Sequence, residues 1–233
     1  MGVRINKYIA SSGYCSRRQA DELVEAGKVT IDGVKAVNGS VVEDGNVVMV
    51  DGHEIIPEDN KIYIALHKPL GITCTTDRRD PTNIIDYLGM DERVFPIGRL
   101  DKNSSGLILL TNDGDIVNTL LRAENGHEKE YNVRVDHKIA PDFKDKMEAG
   151  VYILDRKTLP CKVTVTGTHT FNIVLKQGLN RQIRRMCDAL GYRVTKLRRV
   201  RFINIELGDM KPGDRRYLTK EEIRGLKSAD KSH

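Results

Sequence analysis

Cysteine is scarce in this chain of 233 residues: Cys15, Cys74, Cys161 and Cys187 stand far apart, with no Cys-x-x-Cys pair and no histidine at ligand spacing. That speaks against a disulfide framework and a structural zinc site, and fits free thiols in a reducing compartment. Long apolar runs are missing as well. No stretch approaches the roughly eighteen apolar residues of a membrane span, and residues 1–8 hold no apolar core of a secretory leader. The expectation is a soluble, cytoplasmic protein. Excess charge is small too: the formal net charge is +5, too little to imply a polyanionic partner unless its distribution does so. What remains is a globular composition, 39% hydrophobic and 30% charged, in a chain long enough for a main domain with a small companion.

The first fifty residues read as such a companion. Ile5, Tyr8 and Ile9 form a short helical stripe that stops at Ser11-Ser12-Gly13. A second helix opens at Ser16, where Ser16-Arg17-Arg18-Gln19 has the capping-box spacing; Ala20, Leu23 and Val24 supply its apolar face and Gly27 ends it. Val29-Thr30-Ile31 and Val34 to Val37 flank Asp32-Gly33 as a two-residue hairpin, and Val47 to Val50 make a further strand. Arg17 and Arg18 oppose the macrodipole at a helix start; either an anion resolves the conflict or they are two exposed arginines of little cost. Residues 53–61 are polar, with one proline, and read as a flexible linker.

From residue 62 the pattern changes. Ile62 to Leu66 is a strand turned by Lys68-Pro69-Leu70-Gly71, and Asn83 to Leu88 a short helix. Leu107 to Leu110 is a continuous apolar run closed by Asn112-Asp113-Gly114, the signature of a strand buried on both faces. The segment before it, from Gly98 to Ser105, is a loop anchored on that strand, and it carries Asp101 two residues after Arg99. Asp115 to Arg122 has helical spacing, and Lys129 to Val135 alternates with Tyr131, Val133 and Val135 on one face. A helix begins at Pro141, and Cys161 to Val165 pairs with Phe171 to Leu175 as a hairpin. The tail after Leu226 is polar and is expected to fray.

Positive charge collects late. Between Lys176 and Arg201 stand nine basic residues against the single acid Asp188. Within this stretch Ile183, Met186, Cys187 and Leu190 form a helical stripe, with Asn180 as expected cap and Gly191 as terminator. Arg181, Arg184 and Arg185 then gather on the other side, where like charges repel unless an anion holds them.

These motifs carry a resemblance. Ile5 to Gly13 and Ser16 to Ala20 resemble the opening of the S4 RNA-binding domain, and Val29 to Gly33 its hairpin. Residues 62–226 resemble the RsuA/RluB/RluE/RluF family of RNA pseudouridine synthases: Gly98-Arg99-Leu100-Asp101 with Ser104 to Leu107 is similar to the catalytic motif, His127 to Tyr131 to the second, and Gly178 to Met186 to the third. The resemblance implies an α+β fold: a catalytic domain at 62–233 on a mostly antiparallel sheet, helices on one side and the active site on the other, after an S4 domain at 1–52. It implies an isomerase of ribosomal RNA, most simply 23S rRNA, with 16S rRNA, a tRNA anticodon loop or a non-catalytic assembly factor as alternatives. No cofactor and no metal is implied, since the reaction has no net redox change. A base-excising hydrolase would want a second carboxylate, which the motif lacks. Asp101 would be nucleophile or acid-base group, acting on the base or the sugar, with Arg184 beside it to keep it ionised. Tyr131 would stack on the flipped uracil, with Leu107 or a neighbour as apolar packing. Arg99 would fill the vacated stack, contact phosphate or pair with a carboxylate. Lys7, Arg17, Arg18, Arg181, Arg185, Arg198 and Arg199 complete the expected RNA contacts.

Overall fold

The computed structural model describes residues 2–121 and 126–229. It divides into two compact units: Met1–Ile62 with Asp91–Arg93 and Asn112–Gly114, and the remainder.

In the first unit, β1 (Val3–Arg4) and α1 (Ile5–Ser11) lead to α2 (Arg17–Glu25), then β2 (Val29–Ile31), β3 (Val34–Lys35), β4 (Val41–Val42), β5 (Val48–Val50) and β6 (His53–Glu54). The capping box forms: Gln19 N donates to Ser16 Oγ at 3.2 Å and Ser16 N to Gln19 Oε1 at 3.0 Å, an arrangement worth about 1 kcal/mol. Asp32 and Gly33 both have positive φ, +50° and +80°, as a type I′ hairpin turn demands. Ile5, Ile9, Ala20, Val24, Val29, Val48 and Val50 close one small core. Part of the segment expected to be a linker is structured. His53–Glu54 pairs with β5, Ile55 is buried in the same core, and Glu58 N donates to Ser11 O at 3.0 Å. Two polar residues on an edge strand leave no hydrophobic alternation to read.

The second unit is built on a mixed nine-stranded sheet. Its elements are β7 (Tyr63–Lys68), α3 (Ile84–Leu88), β8 (Phe95–Ile97), β9 (Ser105–Thr111), α4 (Gly114–Leu121), β10 (Lys129–Val135), α5 (Phe143–Glu148), the ribbon β11 (Tyr152–Ile153) and β12 (Arg156–Lys157), β13 (Lys162–Gly167), β14 (Thr170–Leu175), α6 (Gln182–Ala189), β15 (Val194–Phe202), β16 (Ile205–Glu206), β17 (Arg215–Tyr217) and α7 (Lys220–Ala229). The order is β13-β14-β10-β15-β9-β7-β17, with β16 on β15 and β8 on β9. Every pairing is antiparallel except β9 with β15, which meet at Arg198↔Ser105 and Arg199↔Gly106. The fold is α+β, as expected.

Helices on one side only were expected, and the structure corrects this. Tyr131, Val133, Ile173 and Leu197 share the face on which Phe143, Met147, Ile183 and Met186 of α5 and α6 pack. Tyr63, Leu107, Leu109 and Phe202 share the other face with Ile116, Leu120 and Leu226 of α4 and α7. Each half of the twisted sheet buries a different face, so alternation read strand by strand does not reveal which side is covered. Leu107 to Leu110, in the middle, are buried on both. Arg122 and the end of the tail lie outside the described residues, but α7 runs to Ala229 and seats Leu226 in the core rather than ending there.

Candidate active site

The loop carrying Asp101 is pinned along its length. Leu100 N donates to the buried Cys74 Sγ at 3.3 Å, Ser104 N donates to Asp101 O at 3.0 Å, and Gly71 N donates to Lys102 O at 2.9 Å. Ser104 is buried and β9 begins at the next residue. Asp101 is thus a half-buried side chain on a short turn held by a rigid strand. It lines a pocket of about 120 Å³ with Arg99, Tyr131, Leu179, Arg181, Ile183 and Leu197 among its walls. That volume is far below the roughly 300–1,000 Å³ of a drug-sized site and suits a single ring.

Tyr131 enters this pocket from β10. A register shift follows Glu130, which opposes Arg201 while Tyr131 opposes Arg199. Such a bulge re-aims a side chain, and here it sets the half-buried Tyr131 beside the core residues of α6. Leu107 does not line the pocket; it packs with α4 and α7 on the reverse face.

Arg184 reaches the same loop, but not by the contact expected. Its Nη2 donates to Asn103 O at 2.7 Å and Ser104 Oγ at 3.3 Å, and Nη1 to Val194 O at 3.2 Å. Among the described residues Asp101 makes no ion pair within 4.0 Å. Burial and Arg181 push the Arg184 guanidinium below the ordinary arginine value, and Asp101 pulls in the opposite sense. The arginine therefore feels the carboxylate while fixing the last two residues of its turn.

Lys68 is a second cation near Asp101 that sequence reasoning missed. It is fully buried, and its Nζ donates to Pro69 O and Ile72 O, each at 2.8 Å. Burial lowers its pKa, opposed by Cys74 and Asp101. The signal was a lysine closing an apolar strand, read only as part of a turn.

Lys129 is held at about 8, first by burial and then by Arg199. Its Nζ donates to His127 O at 2.9 Å and lies 5.8 Å from the Phe202 ring centre. Between about pH 8 and the ordinary lysine value the folded protein has released this proton while the unfolded chain keeps it, so the Lys129 contribution to stability rises with pH. Lys129→Met should therefore be favoured most below about pH 8, its advantage over the parent shrinking towards pH 10. Denaturant unfolding of both proteins across that range checks this, and a pH-independent difference contradicts it.

The expected RNA contacts separate into two groups. Arg17 and Arg18 are exposed at the start of α2, with no acid in its first turn, and Arg99, Arg181 and Arg198 are exposed as well. Arg185 folds back on Asn180, donating from Nε to its O at 3.1 Å and from Nη2 to its Oδ1 at 3.2 Å. Asn180 therefore does not cap α6; Arg181 occupies that position with φ +50° and no side-chain cap. Arg199 is a correction. It is 4% exposed, donates from Nε to Leu107 O at 2.7 Å, and lies 5.5 Å from the Phe202 ring centre, so it ties β15 to β9 and has no surface to offer RNA. Arg201 is likewise engaged, with Glu128 and Glu130 each at 3.0 Å. The basic stretch is less free than its composition suggests.

Two family models match the chain: S4 domain over residues 3–48 and RNA pseudouridylate synthase over residues 62–189. The chain is 51% identical to the dual-specificity RNA pseudouridine synthase RluF of Salmonella typhi, covering 95% of this chain and 77% of that one. It is 34% identical to ribosomal large subunit pseudouridine synthase B of Bacillus subtilis (strain 168), over 97% of this chain and 96% of that one. A crystal structure of a pseudouridylate synthase superimposes with TM-score 0.70 at 26% identity, covering 96% of this chain and 99% of that one.

Proposed function

The chain belongs to the RNA pseudouridine synthase family, with an S4 domain near its N-terminal end, and from that premise we propose that it isomerises particular uridines of 23S rRNA in the cytoplasm through the carboxylate of Asp101. The reaction breaks the glycosidic bond at N1, turns the base, forms a carbon–carbon bond from the sugar to C5, and removes the C5 proton while the freed N1 gains one; atoms and electrons balance without a co-reactant. Asp101 serves as nucleophile or acid-base group at this exchange. Tyr131 stacks on the extruded uracil, and Arg184 holds the loop carbonyl and hydroxyl that set the carboxylate's position. The observation that carries this reading is the small pocket that has both Asp101 and Tyr131 in its wall.

The base must leave its stack to reach such a pocket, at a cost of a few kcal/mol in paired RNA and less in a loop. Arg99, exposed in the pocket wall, occupies the space the base leaves in this reading. Lys7, Arg17 and Arg18 on the S4 domain, with Arg181, Arg185 and Arg198, contact phosphates and select where the catalytic unit lands, reading loops and irregular stems by shape. The dual specificity in the name of the 51% identical relative favours a second RNA substrate, for which we propose a tRNA anticodon loop.

Comparing pseudouridine maps of ribosomal and transfer RNA from cells with and without this chain tests the assignment. At least one 23S rRNA position should revert to uridine in its absence. An unchanged 23S rRNA map removes the substrate proposed.

A further inference from the structure

The sheet face turned away from Tyr131 carries a concavity that this chemistry does not use. Asn132, Arg134, Lys196 and Arg198 alternate with Val133 and Leu197, which belong to the α5–α6 core, and therefore point to the opposite side. There, across β14, β10 and β15, opens a groove of about 1180 Å³.

Its charge is one-sided. Arg134 and Lys196 are direct cross-strand partners, and Arg198 follows Lys196 on the same face opposite Asn132. Like charges facing each other on a sheet are destabilising. Lys211 stands on the rim, no Asp or Glu lines the groove, and among the described residues none of these four exposed cations has an ion-pair partner. The uncompensated repulsion calls for an anion. The groove also excludes one mode of binding: the two rings in its lining, Phe171 and His67, are both buried, Phe171 in the core behind the sheet and His67 held by Met210 O at 2.7 Å, so neither ring is presented for a base to stack on. Thr170 and Asn172 add hydrogen-bonding groups beside the cations. This is a surface for phosphates and ribose hydroxyls, without base readout.

We propose that the groove is a second RNA-binding surface, holding the sugar–phosphate backbone of a structured segment of the substrate RNA away from the uridine being modified. The proposal rests on the RNA-modifying function argued above and adds to it. Arg184 lines the groove and also donates to the Asn103 carbonyl and the Ser104 hydroxyl behind Asp101, so the two sites share one side chain.

The test is a triple variant, Arg134→Gln/Lys196→Gln/Lys211→Gln, that leaves Arg184 intact. Dissociation constants and single-turnover rates are measured on two RNAs: a short stem-loop containing the target uridine, and a long rRNA fragment around it, across about 50–200 mM salt. For the long RNA, affinity should fall by about tenfold or more and the slope of log affinity against log salt should flatten by about 2–3. The stem-loop's affinity and the rate at saturating RNA should stay within about twofold, small against a tenfold change. Unchanged affinity and slope for the long RNA overturn the groove assignment. So does a lower saturated rate on both RNAs, which would place these residues in the chemistry. Should the triple variant melt early, Lys211→Gln alone must flatten the long-RNA slope by about 1, or the proposal fails. A parent chain that turns over neither RNA overturns the function as well; an active parent with an indifferent variant overturns the groove alone.

Discussion

Asp101→Asn is expected to slow pseudouridine formation by about 10³- to 10⁴-fold while RNA affinity changes no more than a few-fold. The substitution keeps the size and planarity of the side chain and removes the charge and the basic oxygen. Stability should barely move. The hydrogen bond that closes the turn is accepted by the Asp101 main-chain oxygen, which asparagine retains, and among the described residues no ion pair within 4.0 Å is lost. Loss of rate with retained binding separates a group acting in the transition state from one that only helps to hold RNA. A variant that turns over within about tenfold of the parent would remove Asp101 from the chemistry.

Gly106→Ala should cost more than about 4 kcal/mol of stability or prevent folding. Gly106 has φ +108°, where L side chains are rarely found, and an added Cβ would stand 2.5 Å from Arg199 N and nearer still to its carbonyl oxygen. Both neighbours are backbone, so no rotamer change relieves the clash. The contact is also where the sheet's two halves join: β9 and β15 share only two paired positions, Arg198↔Ser105 and Arg199↔Gly106. Forcing them apart breaks the sheet beside Ser104 and the Asp101 turn, so a folded remnant should lose activity too. Gly178→Ala is the control, with nothing within 4 Å of its Cβ and an expected change within about 1 kcal/mol. Denaturant midpoints for the two variants measure the contrast, and equal midpoints would contradict the close approach described.

Local signals in the sequence proved sound where local physics decides. Ser16 and Gln19 cap α2 because a hydroxyl and an amide three apart satisfy free N–H groups, whatever surrounds them. The run at Leu107 to Leu110 is buried on both faces because four apolar side chains in succession leave a strand no wet side. Asp101 was legible as a loop carboxylate ahead of a stiff strand, and Tyr131 as the end of a separate motif, His127 to Tyr131. What escaped depends on contacts distant in sequence. Arg199 looked like one more cation until β9, over ninety residues earlier, supplied Leu107 O to take its proton donor. Arg184 was expected on the carboxylate and sits instead on the carbonyl two residues beyond it, a choice set by where β15 begins, at Val194, and where the loop runs into β9. Lys68 had no reason to be singled out, because a lysine wholly inside a protein is told from a surface one only by the carbonyls that surround it.

The reaction itself is the most direct test of an isomerase built on Asp101. Purified protein should be incubated with unmodified 23S rRNA transcript in buffer containing a chelator and no added small molecule, and every uridine position read for isomerisation. The result expected is stoichiometric pseudouridine at one or a few positions, with the RNA chain intact and no free uracil. A transcript bound but left as uridine throughout, or one that loses uracil to leave abasic sites, would contradict an isomerase built around Asp101.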